Sequence, residues 1–198
     1  MPKNTTQFVC SECGYTSAKW LGRCPDCGKF NTLVEEPVAP APSAKKQSAM
    51  RPALSHAVPL SRVAFEKYER VSSGIAELDV VLGGGIVRGS LVLVGGDPGV
   101  GKSTLLTQVA AHLSKEHKVL YLSAEESCSQ VKLRCERLKI DADDLMLLNE
   151  TNLENAEEAI LDAEYVIVDS IQAIYTDTLS SAAGSVGQVR ECAAKLMR

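Results

Sequence analysis

No apolar run in the sequence approaches the ~18 residues that a membrane-spanning helix needs, and the opening MPKNTTQF lacks the apolar core of a secretory signal. The expected compartment is therefore the cytoplasm. Positive charge is not in excess: 21 Lys and Arg stand against 25 Asp and Glu, a net charge of −4. That balance excludes a uniformly basic nucleic-acid coat but leaves room for a local basic patch, because binding depends on where charge sits. Histidine is scarce, and His56, His112 and His117 have no partners in sequence that assign them a role. No internal repeat is present. What remains, 45% hydrophobic and 23% charged residues in a chain of 198, is ordinary for a globular protein. It is enough for one α/β domain with a small appendage.

Cysteine is well represented, seven in all, and in a cytosolic chain thiols favour metal binding over disulfides. Four of the seven fall in residues 1–36, together with Phe8, Tyr15, Trp20 and Phe30, four of the nine aromatics. So short a piece cannot bury a sufficient core alone and needs a staple. Cys10-Ser-Glu-Cys13 and Cys24-Pro-Asp-Cys27 are two C-x-x-C pairs, each followed by a glycine, Gly14 or Gly28, that permits a tight knuckle turn. Four thiolates at Cys10, Cys13, Cys24 and Cys27 suit a closed tetrahedral Zn²⁺ site, structural rather than catalytic. A redox pair or free thiols are the competing readings, and duplicate pairs on a core-poor segment weigh against both. Between the pairs lie Tyr15, Lys19, Trp20 and Arg23. Two roles are open to Trp20: stacking on nucleic-acid bases, or packing beneath the ribbon as its core. Cys128, Cys135 and Cys192 have no ligand spacing, and the first two read as core residues on one helix face.

Residues 37–61 contain five of the eight prolines and no aromatic, Asp or Glu, a composition that reads as a flexible linker. Its Lys45, Lys46 and Arg51 are read as parts of a solvated tether. From about Phe65 strands and helices alternate. Strands are expected at 91–95 (LVLVG, buried on both faces), 119–123, 145–148 and 165–169. Helices are expected from Lys102 to about Ser114, from Ser127 to Lys139 and near 153–163. That alternation implies a parallel sheet with right-handed crossovers. The expected domains are 1–36, a zinc ribbon; 37–61, the linker; and 62–198, a P-loop ATPase domain.

Gly96-Asp97-Pro98-Gly99-Val100-Gly101-Lys102-Ser103 fits G-x-x-x-x-G-K-[ST] in full, between an expected strand and an expected helix. Glycines let successive backbone N–H groups turn inward around phosphates, and the helix N-terminus adds its positive dipole. Lys102 reaches for the β- and γ-phosphates, while the Ser103 hydroxyl suits Mg²⁺. The alternative is a glycine-rich turn with a chance Lys-Ser, which the strand–loop–helix context disfavours. Asp169, closing YVIVD, stands where a carboxylate for the outer shell of Mg²⁺ belongs. Glu125 and Glu126 follow strand 119–123, at the carboxyl edge where α/β proteins bind ligands. One of them is a candidate to orient or deprotonate water. The other, Glu126, reads as an acidic helix start.

The order of these features resembles the bacterial RadA (Sms) family of RecA-like DNA recombination and repair ATPases. The likeness is carried by the ribbon, by SGIAELDVVLGGGIVRGSLVLVGGDPGVGKSTLL, and by YLSAEES, YVIVDSIQ and SSAAGSVGQVREC. The stretch from Leu78-Asp79 through Gly83–Gly85 to the loop is shared more widely with RecA and KaiC-type ATPases. The resemblance implies an α/β fold: a Cys₄ zinc ribbon, a linker, then a RecA-like core with a parallel sheet. It implies zinc on the four cysteines, Mg²⁺ with ATP, Thr104 also near the nucleotide, and Glu125 as the catalytic glutamate of Ser123-Ala124-Glu125. Gln172 is a lesser candidate for sensing the γ-phosphate. The implied activity is a DNA-dependent ATPase that processes branched recombination intermediates by branch migration. The implied partners are single-stranded or branched DNA, further copies in a ring, and a recombinase, with no membrane. A nucleotide-gated module without hydrolysis, and a KaiC-like ATPase of another pathway, are the alternatives. The family also carries a Lys-Asn-Arg-Phe-Gly motif and a Lon-protease-like domain that do not occur here. The helical look of residues 193–198 accordingly leads us to expect a truncated sheet with an exposed far edge.

Overall fold

Three sheets, one of them a two-stranded pair, organise the described residues, which in this computed structural model are 6–37, 59–63 and 69–198. Most of the expected linker, and its Lys45, Lys46 and Arg51, lies outside them. Strands β1 (Thr6–Cys10), β2 (Thr16–Ser17) and β3 (Leu33–Pro37) form an antiparallel sheet in the order β2-β1-β3. Its core is small: Cys10, Cys24 and Leu33 are buried, with Phe8 and Cys13 packed against them. Trp20, at 55% exposed, is not part of that core. The Ser180 hydroxyl donates to the backbone carbonyl of Glu35 (2.7 Å), linking β3 to the far end of the chain.

A short hairpin-like pair, β4 (Arg70–Val71) with β5 (Ile86–Val87), brackets helix α1 (Ala76–Val81). Asp79 ties the turn before α1 by accepting from the Ser72 hydroxyl (2.6 Å) and the Ser73 amide (2.8 Å). These bonds hold its carboxyl below the usual carboxylate range.

Helix α2 (Lys102–Leu113) is followed by β6 (Val119–Ser123), α3 (Cys128–Leu138), β7 (Met146–Leu148), α4 (Leu153–Asp162), β8 (Tyr165–Asp169) and α5 (Val186–Leu196). The three strands are parallel in the order β7-β6-β8, the fold class read from the alternating pattern. As the central strand, β6 is covered on both faces, and Val119, Leu120, Tyr121 and Leu122 are each no more than 2% exposed. Burying such side chains contributes about 1.5–3 kcal/mol apiece. On one face Val109, Ala110 and Leu113 of α2 and Val131 of α3 pack against Val119 and Tyr121. On the other, Leu122 meets Leu153 and Ala156 of α4, Ile174, and Cys192 of α5.

Helix ends follow local chemistry. Ser127 and Gln130 make a reciprocal capping box for α3, which ends on Lys139 in the left-handed region. Asn152 caps α4 through Glu154 and Asn155 amides, and Ser185 caps α5 through Gln188. Of the two cysteines read as core residues on α3, Cys135 is buried but Cys128 only partly, and Leu138 on the same expected apolar face is 38% exposed.

One expected strand does not form. Residues 91–95 join no ladder, and Leu91, Val92 and Leu93 are 59%, 45% and 84% exposed. A short apolar run predicts a strand buried on both faces only if neighbours complete its hydrogen bonds. Here β8 pairs with β6 along one edge, and no described residue pairs with its other edge. Among the described residues the sheet therefore has three strands where four were expected.

A polar knot closes the segment after β8. Lys195 of α5 and the Thr176 hydroxyl both donate to Glu154 of α4, and Gln188 spans the carbonyls of Thr176, Leu179 and Ser181. Burial works against the Glu154 carboxylate, yet Lys195 and Thr176 hold its pKa at about 2. A depressed pKa contributes stability above the unfolded value, near 4.5, that is lost as pH falls through the folded one, near 2. Glu154→Gln removes that contribution. The gap in urea midpoint between wild type and this variant is thus expected to be flat above pH 5 and to close between about pH 4.5 and 2.

Candidate functional site

The cysteine site is built from two like knuckles. The Gly14 amide donates to the carbonyl of Cys10 and the Gly28 amide to that of Cys24, each at 2.9 Å. Both glycines sit at positive φ, 76° and 73°, where a side chain is strained. The turns bring four thiols together: Sγ atoms of Cys10 and Cys27 are 3.7 Å apart, those of Cys13 and Cys24 are 3.5 Å apart, and all four lie within 4.8 Å of one another. Burial opposes the Cys10 thiolate, but Thr32 and the backbone amides of Glu12 and Cys13 outweigh it and pull its pKa to about 6. Four convergent thiols, one readily ionised, fit a tetrahedral metal with no open position. All four sequence-expected ligands are in this cluster. Beside it the Arg23 guanidinium lies over the Phe30 ring, 5.4 Å from its centroid. Phe30 and Trp20 are exposed by 70% and 55%.

The phosphate-loop residues Gly96–Val100 are exposed and lead through Gly101 into α2. Gly99 and Gly101 take φ of 79° and 103°, and a Cβ at either would meet nothing within 4 Å. Backbone conformation, not space, demands glycine there. The Lys102 ammonium folds over the loop and donates to the carbonyls of Gly96 (2.7 Å) and Asp97 (2.9 Å). Ser103 and Thr104 open α2, with the Ser103 carbonyl accepting from Thr107 (2.7 Å).

The carboxyl ends of β6 and β8 bring the other candidates together. Ser123 lies opposite Asp169 in the parallel register, and the Ala124 amide donates to the Asp169 carbonyl (2.9 Å). The Ser170 hydroxyl donates to the Glu125 carboxylate, so the two acidic candidates occupy adjacent strand ends. Glu126 pairs with Arg134 of α3 and precedes the Ser127 cap, outside the helix's first turn where the sequence reading placed an acidic start. Gln172 is exposed in the turn after β8. His117 packs edge-on against Tyr165 and faces Glu164, remote in sequence from any candidate.

Two residues at this edge escaped the sequence reading. The Tyr121 hydroxyl donates to Asp169 Oδ2 (2.6 Å) and receives Arg134 Nη2 (3.4 Å). Burial pushes the phenol's pKa well up, and the bond to Asp169 adds to the shift, so Tyr121 keeps its proton and is the donor. The available signal was a lone hydroxyl inside the aliphatic run VLYLS: a buried polar atom must find a partner. Cavity volume alone does not mark the site. A 560 Å³ cavity is lined by Gly74, Gln108, His112 and Lys115 among others, and by none of residues 96–103.

Comparison with known proteins matches this layout. A model described as a rubredoxin metal binding domain, of zinc-ribbon type, matches residues 8–35, and one described as KaiC, an ATPase, matches residues 71–177. DNA repair protein RadA of Listeria monocytogenes is 53% identical over 99% of the chain and 43% of its own length. This chain belongs to the RadA family. The RadA proteins of Bacillus subtilis and Campylobacter jejuni are each 48% identical, over 100% of the chain and 44% and 45% of their own lengths. The chain thus spans under half the length of these RadA relatives. A KaiC-like protein, PH0186 from Pyrococcus horikoshii, superimposes with a TM-score of 0.55 over 66% of this chain and 64% of its own, at 22% identity, a likeness of fold. Among the described residues no helix is long and apolar enough to cross a membrane.

The ribbon geometry yields a direct test. Purified protein should carry one zinc per chain by elemental analysis, and Cys24→Ser should lose it. Chelation should unfold residues 8–30, seen as lost amide protection, because metal binding in such modules is folding free energy. A metal-free ribbon with full amide protection would contradict the assignment.

Proposed function

We propose that the protein is a cytoplasmic, DNA-dependent ATPase of recombinational repair that processes branched intermediates. The observation that carries this reading is the pairing of a full phosphate loop, Gly96–Ser103, with Glu125 and Asp169 at neighbouring strand ends. In this role the amides of residues 96–101 and Lys102 bind the β- and γ-phosphates. Phosphate oxygens compete for the Lys102 N–H groups now given to the Gly96 and Asp97 carbonyls. Ser103 and Asp169 hold Mg²⁺, which when bound neutralises charge on the transferring phosphoryl group. Glu125, held by Ser170, orients the attacking water. Asp97, Pro98, Gly99, Val100 and Thr104 complete the wall of the nucleotide site. The ribbon binds Zn²⁺ and offers Trp20 and the Arg23–Phe30 pair to single-stranded DNA. RadA relatives named for DNA repair support the pathway. Copies in a ring and a recombinase partner belong to the same reading.

The unpaired segment 91–95 favours a second reading, a nucleotide-gated module that binds ATP without hydrolysing it. Phosphate release separates the two. Turnover should fall about 100-fold or more in Lys102→Ala, the scale of losing a charge-stabilising donor, and should rise when single-stranded DNA is added to wild type. ATP binding with no phosphate release under either condition favours the second reading. Trp20→Ala should weaken single-stranded DNA binding by about 1–3 kcal/mol in an anisotropy titration, the usual worth of one stacked base. It should leave ATP affinity unchanged.

A further inference from the structure

Asp169 has two carboxylate oxygens, and they do not have equal surroundings. Oδ2 accepts from the Tyr121 hydroxyl at 2.6 Å, and no hydrogen bond to Oδ1 is formed among the described residues. Tyr121 is fully buried at the middle of β6, two residues before the strand's carboxyl end, between the β8 ladder and α2. Its ring cannot swing away without opening the core cluster of Val109, Leu113 and Val131. The hydroxyl's own geometry is set from the other side. Arg134, 8% exposed, points Nη2 at the phenol oxygen and pairs Nη1 with Glu126. Because a guanidinium only donates, the phenol oxygen must accept from it, and the phenol hydrogen is left for Asp169. Arg134 therefore donates to both Glu126 and Tyr121, and Tyr121 in turn donates its hydrogen to one oxygen of the strand-end carboxylate.

We propose that Tyr121 is a positioning residue for Mg²⁺, locking the Asp169 carboxylate through Oδ2 so that Oδ1 is presented to the metal's hydration shell. The inference rests on the nucleotide-site reading above and deepens it. A carboxylate that reaches a hard cation through ordered water gains from being held in one rotamer, since each bond that must be ordered on binding subtracts from affinity. Groups that orient such ligands typically govern metal affinity by 10- to 100-fold. Tyr121 donates to Asp169 and packs against Val109, Ala110 and Leu113 of α2, the helix that carries Ser103.

Tyr121→Phe keeps the ring and its packing and deletes the hydroxyl. Bind a fluorescent ATP analogue to wild type and variant while titrating Mg²⁺, and repeat the binding in excess chelator. The variant's Mg²⁺ midpoint should rise by about 10-fold, while its metal-free nucleotide affinity stays within about twofold of wild type. A merely structural loss would lower both affinities together or neither. An unchanged Mg²⁺ midpoint in a folded variant overturns the inference. Arg134→Lys keeps a positive charge but cannot donate to Tyr121 and Glu126 in the same fork. It should shift the midpoint in the same direction by less, and it serves as the second test if Tyr121→Phe does not fold; no shift then overturns the inference. Wild type showing no Mg²⁺-stimulated nucleotide binding would instead overturn the nucleotide-site reading, and this inference with it.

Discussion

The parallel ladder between β6 and β8 is the constraint on which the rest of the nucleotide end depends. Five residues of each strand pair in register, from Val119 with Tyr165 to Ser123 with Asp169. Parallel strands separated by more than forty residues acquire that register only when a buried face selects it, since a one-residue slip would turn every side chain to the wrong side. Here Tyr121 and Val119 point into the α2–α3 cluster while Leu122 points into the α4–α5 cluster. Slipping β6 would put the Tyr121 hydroxyl among aliphatic groups and pull Glu125 from Ser170. Hydrophobic selection of register and polar completion of the strand ends are therefore one event.

The ribbon depends on a different kind of constraint. Its buried residues are Val9, Cys10, Cys24, Leu33 and Glu36, two of them cysteines, which is too little to offset the entropy of ordering the loops around it. Four thiols within one coordination radius supply what the core lacks. That arrangement frees its aromatics. Trp20 and Phe30 are not needed inside, so they remain exposed, and Phe30 lies beneath the Arg23 guanidinium. The same chain thus holds one module ordered by apolar burial and another built around four convergent thiols.

How much of this was legible before the fold was known follows from how local each signal is. The cysteine knuckles are read within a few residues, and the structure brings their four thiols together. Strands 119–123 and 165–169 and the helix from Lys102 announced themselves by period and bounding residues. The run at 91–95 misled because its composition describes a buried strand, while strand formation depends on a neighbour that no local window contains. Of Glu125 and Glu126, sequence alone favoured the first by context; what separates them is that Ser170 takes one and Arg134 the other. Tyr121 and Arg134 were missed for the same reason. Their meaning lies in partners 48 and 13 residues away from Tyr121.

Loop and strand ends make one claim together: that Gly96–Ser103 and Asp169 close around a single Mg²⁺–nucleotide pair. A crystal structure with Mg²⁺ and a non-hydrolysable ATP analogue tests it most directly. The phosphates should lie against the amides of 96–101, with Mg²⁺ about 2.1 Å from Ser103 Oγ and Asp169 Oδ1 on one of the metal's waters. Nucleotide bound instead in the 560 Å³ cavity beside His112 and Lys115, with Asp169 far from any metal, would contradict it.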